Sequence, residues 1–322
     1  MKKESNRVYT PRFKDYISFL IFDLKSIIKQ IRYWSKLRFK RARKKDVFFM
    51  VFEPFREHPG IADRIKAIIS TYNLAKSNGY EFKLLFTTPF NLCDYLAPKT
   101  NWHCNIDELE YSLRDTRLYH ETSWRKKIKL KPGKQYHCYI YTGNLIPRVF
   151  PHTNYKWSDL FNELFTPSKE LEEAYKKLNI PPRTYISIHI RFVNALEHFE
   201  DTYYQNQIND QTKREALIVR CKEGIKRIMD ENKETPIYVF SDSKTFLESL
   251  EELPVHTIGS AGIKHTSKTS GDYSTLKTFL DLYVMSQSQA IYRFCAPEIY
   301  SISHYALLAA NIGDIPSYDY DV

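Results

Sequence analysis

Glycine is scarce in this chain, with nine residues in 322. Neither G-x-G-x-x-G nor G-x-x-x-x-G-K-[S/T] occurs, which excludes the two familiar glycine-rich phosphate cradles. Cysteine is also sparse. Cys93, Cys104, Cys138, Cys221 and Cys295 are odd in number, widely spaced and without a C-x-x-C. That excludes a disulfide framework and a zinc knuckle, and describes a reduced chain. Long hydrophobic runs are missing as well. The most apolar N-terminal stretch, from Tyr16 to Phe22, is interrupted by Asp23 and Lys25. It falls well short of the roughly 20 apolar residues of a spanning helix, and no small-residue cleavage site follows it. The expectation is a cytoplasmic protein.

Acid is absent from one segment. Ten Lys or Arg and no Asp or Glu stand between Lys25 and Lys45. With those ten set aside, the basic residues of the remaining chain match its 38 acids one for one, so the formal charge of +10 resides in this arm. A nucleic-acid enzyme carries basic charge on its binding domain too, so no nucleic-acid partner is expected. Within the arm, Tyr16, Phe19, Leu20, Phe22, Leu24, Ile27, Ile28 and Ile31 recur at helical spacing among Lys25, Lys29 and Arg32. A basic amphipathic helix of this kind over residues 13–45 suits an anionic membrane surface, at the inner face for a cytoplasmic protein. The alternative is a helix packed on the body with a solvated basic linker. The two readings stand level.

The body has the composition of a globular protein, at 43% hydrophobic and 27% charged residues, and the length of two domains. An apolar run over 46–52, a helical pattern over 61–76 with Gly79 as its stop, and a second run over 81–86 give a strand, helix, strand order. That order marks a parallel α/β layer. The middle carries one strand signal, 137–142. Helical patterns return at 157–165 and 169–178, and Pro181-Pro182 punctuates the chain. Strands are then expected at 185–190, 236–240, 255–258 and 290–292, with helices at 213–231, 244–250, 273–287 and 299–311. Repeated β-α units at this spacing form a Rossmann-like domain, whose ligands bind beyond the carboxyl ends of the strands.

Polar clusters stand at those ends. His189-Ile-Arg191 closes the strand at 185–190, with His189 and Arg191 on one face. Arg in that place can clamp a phosphate through two hydrogen bonds or can sit in a surface ion pair. Ser241, Asp242 and Ser243 follow the next strand, where they can meet a ligand or cap the following helix. Asp281 lies in an apolar helical segment and needs a partner, for which Lys277 is four residues away. Ser301 and Ser303 precede the last helix, where hydroxyls and N–H groups suit a phosphate or serve as caps. His265 sits in the loop after the third strand, near a donor or simply exposed.

These clusters resemble, in order, the three motifs shared by the α1,6-, α1,2- and protein O-fucosyltransferases and the rhizobial nodulation fucosyltransferase. The matching residues are His189-Ile-Arg191, Ser241-Asp242-Ser243, Asp281-Leu-Tyr-Val-Met-Ser286 and Ser301-Ile-Ser303. The segment Pro59-Gly60-Ile-Ala62-Asp63-Arg64 looks like the family's N-terminal GGxxxR loop, with Ala62 where Gly is common. The resemblance implies a GT-B fold: two Rossmann-like domains facing a cleft, here residues 47–178 for the acceptor and 179–322 for the donor, after a basic arm over 1–46. It implies inverting transfer from GDP-fucose to a glycan or glycolipid acceptor, with the GDP-sugar as co-substrate, no further cofactor and no required metal. By position, Arg191 would stabilise the leaving diphosphate, and His189 and Asp281 would read the guanine. Ser301 and the backbone near Gly60 would touch the phosphates. Asp63, Arg64, Asn194, Ser241, Asp242, Ser243, His265 and Ser303 complete the donor set. The α1,6 enzymes have a second Arg directly after the first, then Asp and Lys; here those positions are Phe192, Asn194 and Ala195. The resemblance therefore carries the donor and not the α1,6 linkage. Among Glu53, Glu57, Glu197 and Glu200, Glu53 and Glu200 are the candidates for acceptor base, the alternative being solvated carboxylates. A transferase for another nucleotide sugar and a non-catalytic binding protein are the competing readings.

Overall fold

The computed structural model describes residues 27–28, 30–52, 60–120, 130–139, 155–197, 206–259, 272–301 and 303–322. Glu53, Glu57, Glu200, His265 and most of the arm's apolar stripe lie outside the described residues.

The first unit begins with β1 (Val47–Val51), α1 (Ile61–Ser77) and β2 (Glu81–Leu85). Every residue of β1 is buried, as a run of Val, Phe and Met requires when both sheet faces are covered. β1 and β2 are parallel, with Val47 opposite Glu81. The unit continues through β3 (Leu96–Pro98), β4 (Thr116–His120), β5 (Gln135–Tyr139), α2 (Trp157–Leu164), β6 (Phe165–Pro167) and α3 (Lys169–Leu178). Its parallel sheet has the order β2-β1-β5-β4, and β3 pairs antiparallel with β6. β4 is an edge strand of mixed Thr-Arg-Leu-Tyr-His composition, with no apolar run to signal it.

The second unit follows as β7 (Ile186–Ile190), α4 (Gln211–Glu231), β8 (Ile237–Ser241), α5 (Lys244–Glu248), β9 (His256–Thr257), α6 (Asp272–Ser286), β10 (Ile291–Cys295), α7 (Tyr305–Gly313) and β11 (Ser317–Asp321). Its sheet, β11-β10-β7-β8-β9, is parallel throughout. Two expectations change. The last helix starts at Tyr305 rather than 299, because Ala296 to Ser301 form a closed turn. A final strand, β11, is added at the edge beside β10.

Alternation along β7 assigns its two faces. Ile186, Ile188 and Ile190, with Phe192 beyond them, pack under Leu217, Cys221, Ile225 and Ile228 of α4. The opposite face carries Tyr185, Ser187 and His189 and is covered by α6 and α7. Those helices do not serve the second unit alone. α6 packs on α3, and α7 on α1 and α2. Phe279, Leu282, Met285, Ala306 and Leu308 thus share one core with β1 and α1. Arg183 binds the layer from below, donating to the carbonyls of Ser288 (2.6 Å) and Gly313 (2.7 Å).

The described end of the arm is tied to the first unit. Buried Tyr33 donates its hydroxyl to His137 Nδ1 at 3.0 Å, and His137 Nε2 faces Gln135 Oε1 at 2.6 Å. That network assigns the Nε2–H tautomer. Arg41, Arg43 and Lys44 pair with Asp115, Glu110 and Glu108. The backbone at Arg38 bonds with Tyr111 and Leu113. This part of the basic run is therefore seated on the body and is not a solvated linker. Among the described residues, no helix is long and apolar enough to cross a membrane.

The C-terminal ends of α6 and α7 meet so closely that a Cβ on Gly313 would lie 2.1 Å from the Ser286 carbonyl oxygen. Gly313→Ala is expected to cost about 1–3 kcal/mol through this overlap. Gly60→Ala, whose Cβ meets nothing within 4 Å, is the control. Denaturant midpoints of the two variants check this; equal midpoints contradict it.

Candidate functional site

The site is built where β7 ends. Its alternation turns Phe192 into the α4 core, where it lies fully buried against Phe246 with ring centroids 4.9 Å apart. Arg191 points the other way and stays partly exposed. Between them the backbone bends sharply, and Val193 adopts φ of +56°. A β-branched residue strains in that region at a cost of about 1–3 kcal/mol, so something must hold it. Asp242 does. Its buried carboxylate accepts the N–H groups of Phe192 (2.8 Å) and Val193 (2.9 Å), and Arg191 Nε lies 3.5 Å from Oδ2. Asn206 closes the loop from the far side, accepting from Asn194 N–H and donating to the carbonyls of Phe192 and Glu298.

The loop before α7 is fastened to the same strand end, since Tyr300 N–H donates to the Arg191 carbonyl at 2.8 Å. That loop leads to His304, whose Nδ1 lies 3.3 Å from Asp63 in the first turn of α1. Two helix N-termini, one from each unit, thus meet at the His304–Asp63 contact, and the loop before α7 ties that point to the Arg191 backbone. Neither Gly60 nor His304 caps its helix with a side chain. Such ends carry partial positive charge and outward N–H groups, the elements of an anion site. Burial works to raise the Asp63 carboxyl. The hydrogen bond to His304, with Lys66 at 3.4 Å, outweighs it and holds the group below the usual carboxylate range.

Behind Arg191, buried His189 packs on Tyr305 with centroids 5.7 Å apart. Burial, then the charges of Arg191 and Arg293, push its pKa down to about 3. Arg293 stands opposite His189 in the register of β10 and β7. Tyr305 donates its hydroxyl to the Thr278 carbonyl. Burial, then the neighbouring Asp281 charge, raise its pKa well above normal. Burial also pushes Asp281 up to about 6, against the lowering effect of Lys277. Lys277 Nζ reaches both Asp281 oxygens, at 2.6 and 2.5 Å.

The structure thus brings together Arg191, His189, Asp63, Asp242 and Asp281, with the backbone at Gly60 and Ala62. Other members of the sequence-derived set have local duties. Arg64 is not on the site surface. It is fully buried over the rings of Phe86 and Phe90, each 5.2 Å away, and burial lowers its pKa to about 9. Ser243 caps α5 by accepting from Phe246 N–H, and Ser241 accepts from Ser243 N–H. The Ser301 hydroxyl is engaged with the Ala296 backbone, and Ser303 accepts weakly from Tyr305 N–H at 3.5 Å. Glu197 accepts from Thr245 N–H. His304, Tyr305, Arg293 and Asn206 escaped the sequence reading. Arg293 left a trace, as a charge inside the apolar strand Ile-Tyr-Arg-Phe-Cys; Asn206 left none. Among the described residues, no three His, Cys, Asp or Glu side chains group as metal ligands.

No family model matches the chain, and no curated protein matches it. Solved structures do. FUT1 of Arabidopsis thaliana, in complex with GDP, aligns at a TM-score of 0.53 and 12% identity, over 97% of this chain and 80% of that one. The α-1,6-fucosyltransferase NodZ soaked with GDP-fucose aligns at 0.54 and 10% identity, over 85% of this chain and 93% of that one. NodZ from Bradyrhizobium gives 0.55 and 10%, over 83% and 92%. The chain shares their fold. It is the GT-B arrangement of Rossmann-like α/β units, built here on a sequence that retains about one residue in ten.

The depressed histidines make stability pH-dependent. The His137 pKa is also pushed down to about 3, by burial and then by Lys36. Below pH ~6.5 the unfolded chain protonates both histidines while the folded chain does not, so stability falls as pH falls, by up to about 1.4 kcal/mol per unit for each. Asp281 acts in the opposite sense: between pH ~6 and ~4 it holds a proton when folded and releases it when unfolded. From these three groups, unfolding is therefore expected to take up about one net proton at pH ~5 and almost none at pH ~7.5, and the lowered carboxyls add to the uptake at the acid end. Denaturant midpoints across this range measure it, and a flat profile contradicts the assignment.

Proposed function

We propose that this chain is an inverting, metal-independent glycosyltransferase that moves fucose from GDP-fucose to a glycan or glycolipid acceptor. The observation that carries this reading is the meeting of the α1 and α7 N-termini at the loop fastened to the Arg191 backbone. A departing diphosphate needs positive charge placed before the bond breaks, and preorganised donors are most effective in that role. Arg191 binds the β-phosphate and offsets the charge that grows on it as the anomeric carbon–oxygen bond lengthens. The first-turn N–H groups of α1 and α7 hold the remaining phosphate oxygens. Gly60 fits this use, since neither its φ of −53° nor crowding demands glycine there.

Asp281 suits guanine. A carboxylate accepts from the adjacent N1–H and N2–H₂ donors of that base, whereas uracil offers one N–H between two carbonyls. Neutral His189 adds one donor and one acceptor. Asp242 acts through Arg191 and is a positioning residue. Acceptor activation falls to Glu53 or Glu200, which lie in sequence just before Gly60 and just after Asn194. Attack of the acceptor oxygen on the anomeric carbon, from the face opposite the diphosphate, releases GDP and the hydroxyl proton and inverts the anomeric centre.

Slow donor hydrolysis tests this without a known acceptor. GDP-fucose is expected to be hydrolysed in preference to UDP-sugars, and GDP to raise the unfolding temperature where UDP does not. Arg191→Ala is expected to lower kcat by about 10²–10³, the effect of removing one preorganised donor. Arg191→Lys, which keeps a charge but loses the Nε contact with Asp242, should fall between. Hydrolysis that survives Arg191→Ala in a folded variant, or that prefers a UDP-sugar, overturns the reading.

A further inference from the structure

The described end of the arm shows different faces to the body and to solvent. Gln30, Tyr33 and Leu37 turn inward, with Tyr33 buried on His137. Ile27, Ile31 and Trp34 recur at the same three- and four-residue spacing on a neighbouring face, and they are 50, 54 and 52% exposed. Ile28 and Phe39 are also exposed, Phe39 at 85%, and half-exposed Leu113 of the body lines one cavity with Trp34. The cations of this segment divide into two groups. Arg41, Arg43 and Lys44 have partners on the body, whereas exposed Arg32, Lys36, Arg38 and Lys40 form no ion pair among the described residues.

Exposed Ile and Trp on a helical segment rich in cations without ion-pair partners match one kind of partner. An anionic bilayer takes apolar side chains at the boundary of headgroups and acyl chains and takes Lys and Arg against its phosphates. A second copy of this chain is the poorer occupant. A two-fold contact sets the same patch against itself, bringing Arg32, Lys36, Arg38 and Lys40 against their own copies. With no acid between Lys25 and Lys45, that contact has nothing in this segment to offset the repulsion. The firm seat of Tyr33 on the body makes the face a rigid projection of the first unit.

We propose that this face docks the protein on a bilayer containing anionic lipid, with Ile27, Ile31 and Trp34 entering the interface and Arg32, Arg38 and Lys40 lying on its phosphates. The proposal is independent of the sugar-transfer reading. The full chain is tested by co-sedimentation with vesicles of phosphatidylcholine, alone or mixed with phosphatidylglycerol. Binding is expected on the mixed vesicles and not on the neutral ones. It should weaken more than tenfold between about 0.05 and 0.5 M salt, as the screening length shrinks. The double variant Ile31→Glu, Trp34→Glu changes two outward side chains. It should lose more than tenfold in binding with an unchanged unfolding midpoint and circular dichroism spectrum. Equal binding to neutral vesicles, or full binding by the double variant, overturns the proposal. So does a concentration-dependent dimer that the double variant abolishes, without vesicle binding by the parent chain.

Discussion

The Asp242 carboxylate accepts two backbone N–H groups just past β7 and lies against the guanidinium of Arg191, so it holds the bend at which neighbouring side chains part. A buried carboxylate costs several kcal/mol unless donors replace its water. Here the donors come from the segment it organises. The strain at Val193 and the desolvation of Asp242 are thus offset by one set of hydrogen bonds, and neither feature would persist without the other. Phe192 in the core and Arg191 outside it are the result. The bend also carries the Arg191 carbonyl to Tyr300, so the loop before α7 takes its position from the same point.

The second constraint is the helical layer shared by the two units. Because α6 and α7 contribute to the core that contains β1 and α1, the distance between the N-termini of α1 and α7 is set by packing. Asp63 sits where those termini meet. An acid in the first turn favours α1 through the helix dipole, yet it opposes an anion bound there. Lys66 Nζ and His304 Nδ1 both approach Asp63 Oδ1, at 3.4 and 3.3 Å, and the Lys66 charge eases the conflict. The charge Asp63 presents to a ligand is therefore smaller than its own.

Periodicity made most of the fold legible. Where an element buries a face, its apolar residues declare it, as at 61–76, 169–178 and 185–190. Edges buried less and were missed: Thr-Arg-Leu-Tyr-His of β4 and Ser-Tyr-Asp-Tyr-Asp of β11 have no apolar run. The start of α7 was misplaced because Ile299 and the serines look like a helix entrance, while the Ser301 hydroxyl in fact closes a turn on Ala296. At the site, residue type at a strand end found Arg191, His189 and Asp242. It could not tell a ligand contact from a local duty, since Ser243 as a cap and Asp242 as a brace use the same polar atoms a ligand would.

Phe192 shows why the geometry matters more than the motif. Residue 192 faces the α4 core in this chain, so an Arg there would be buried against Phe246 without a partner, and Phe is the side chain the packing asks for. Arg293 stands opposite His189 in the register of β10 and β7, with its guanidinium paired to Asp319 and donating to the Ser303 carbonyl. His189 therefore lies enclosed between two permanent positive charges. At a pKa near 3 it is too weak a base to take a proton from a hydroxyl at neutral pH, and it holds none to give as an acid. A neutral imidazole keeps one hydrogen-bond donor and one acceptor.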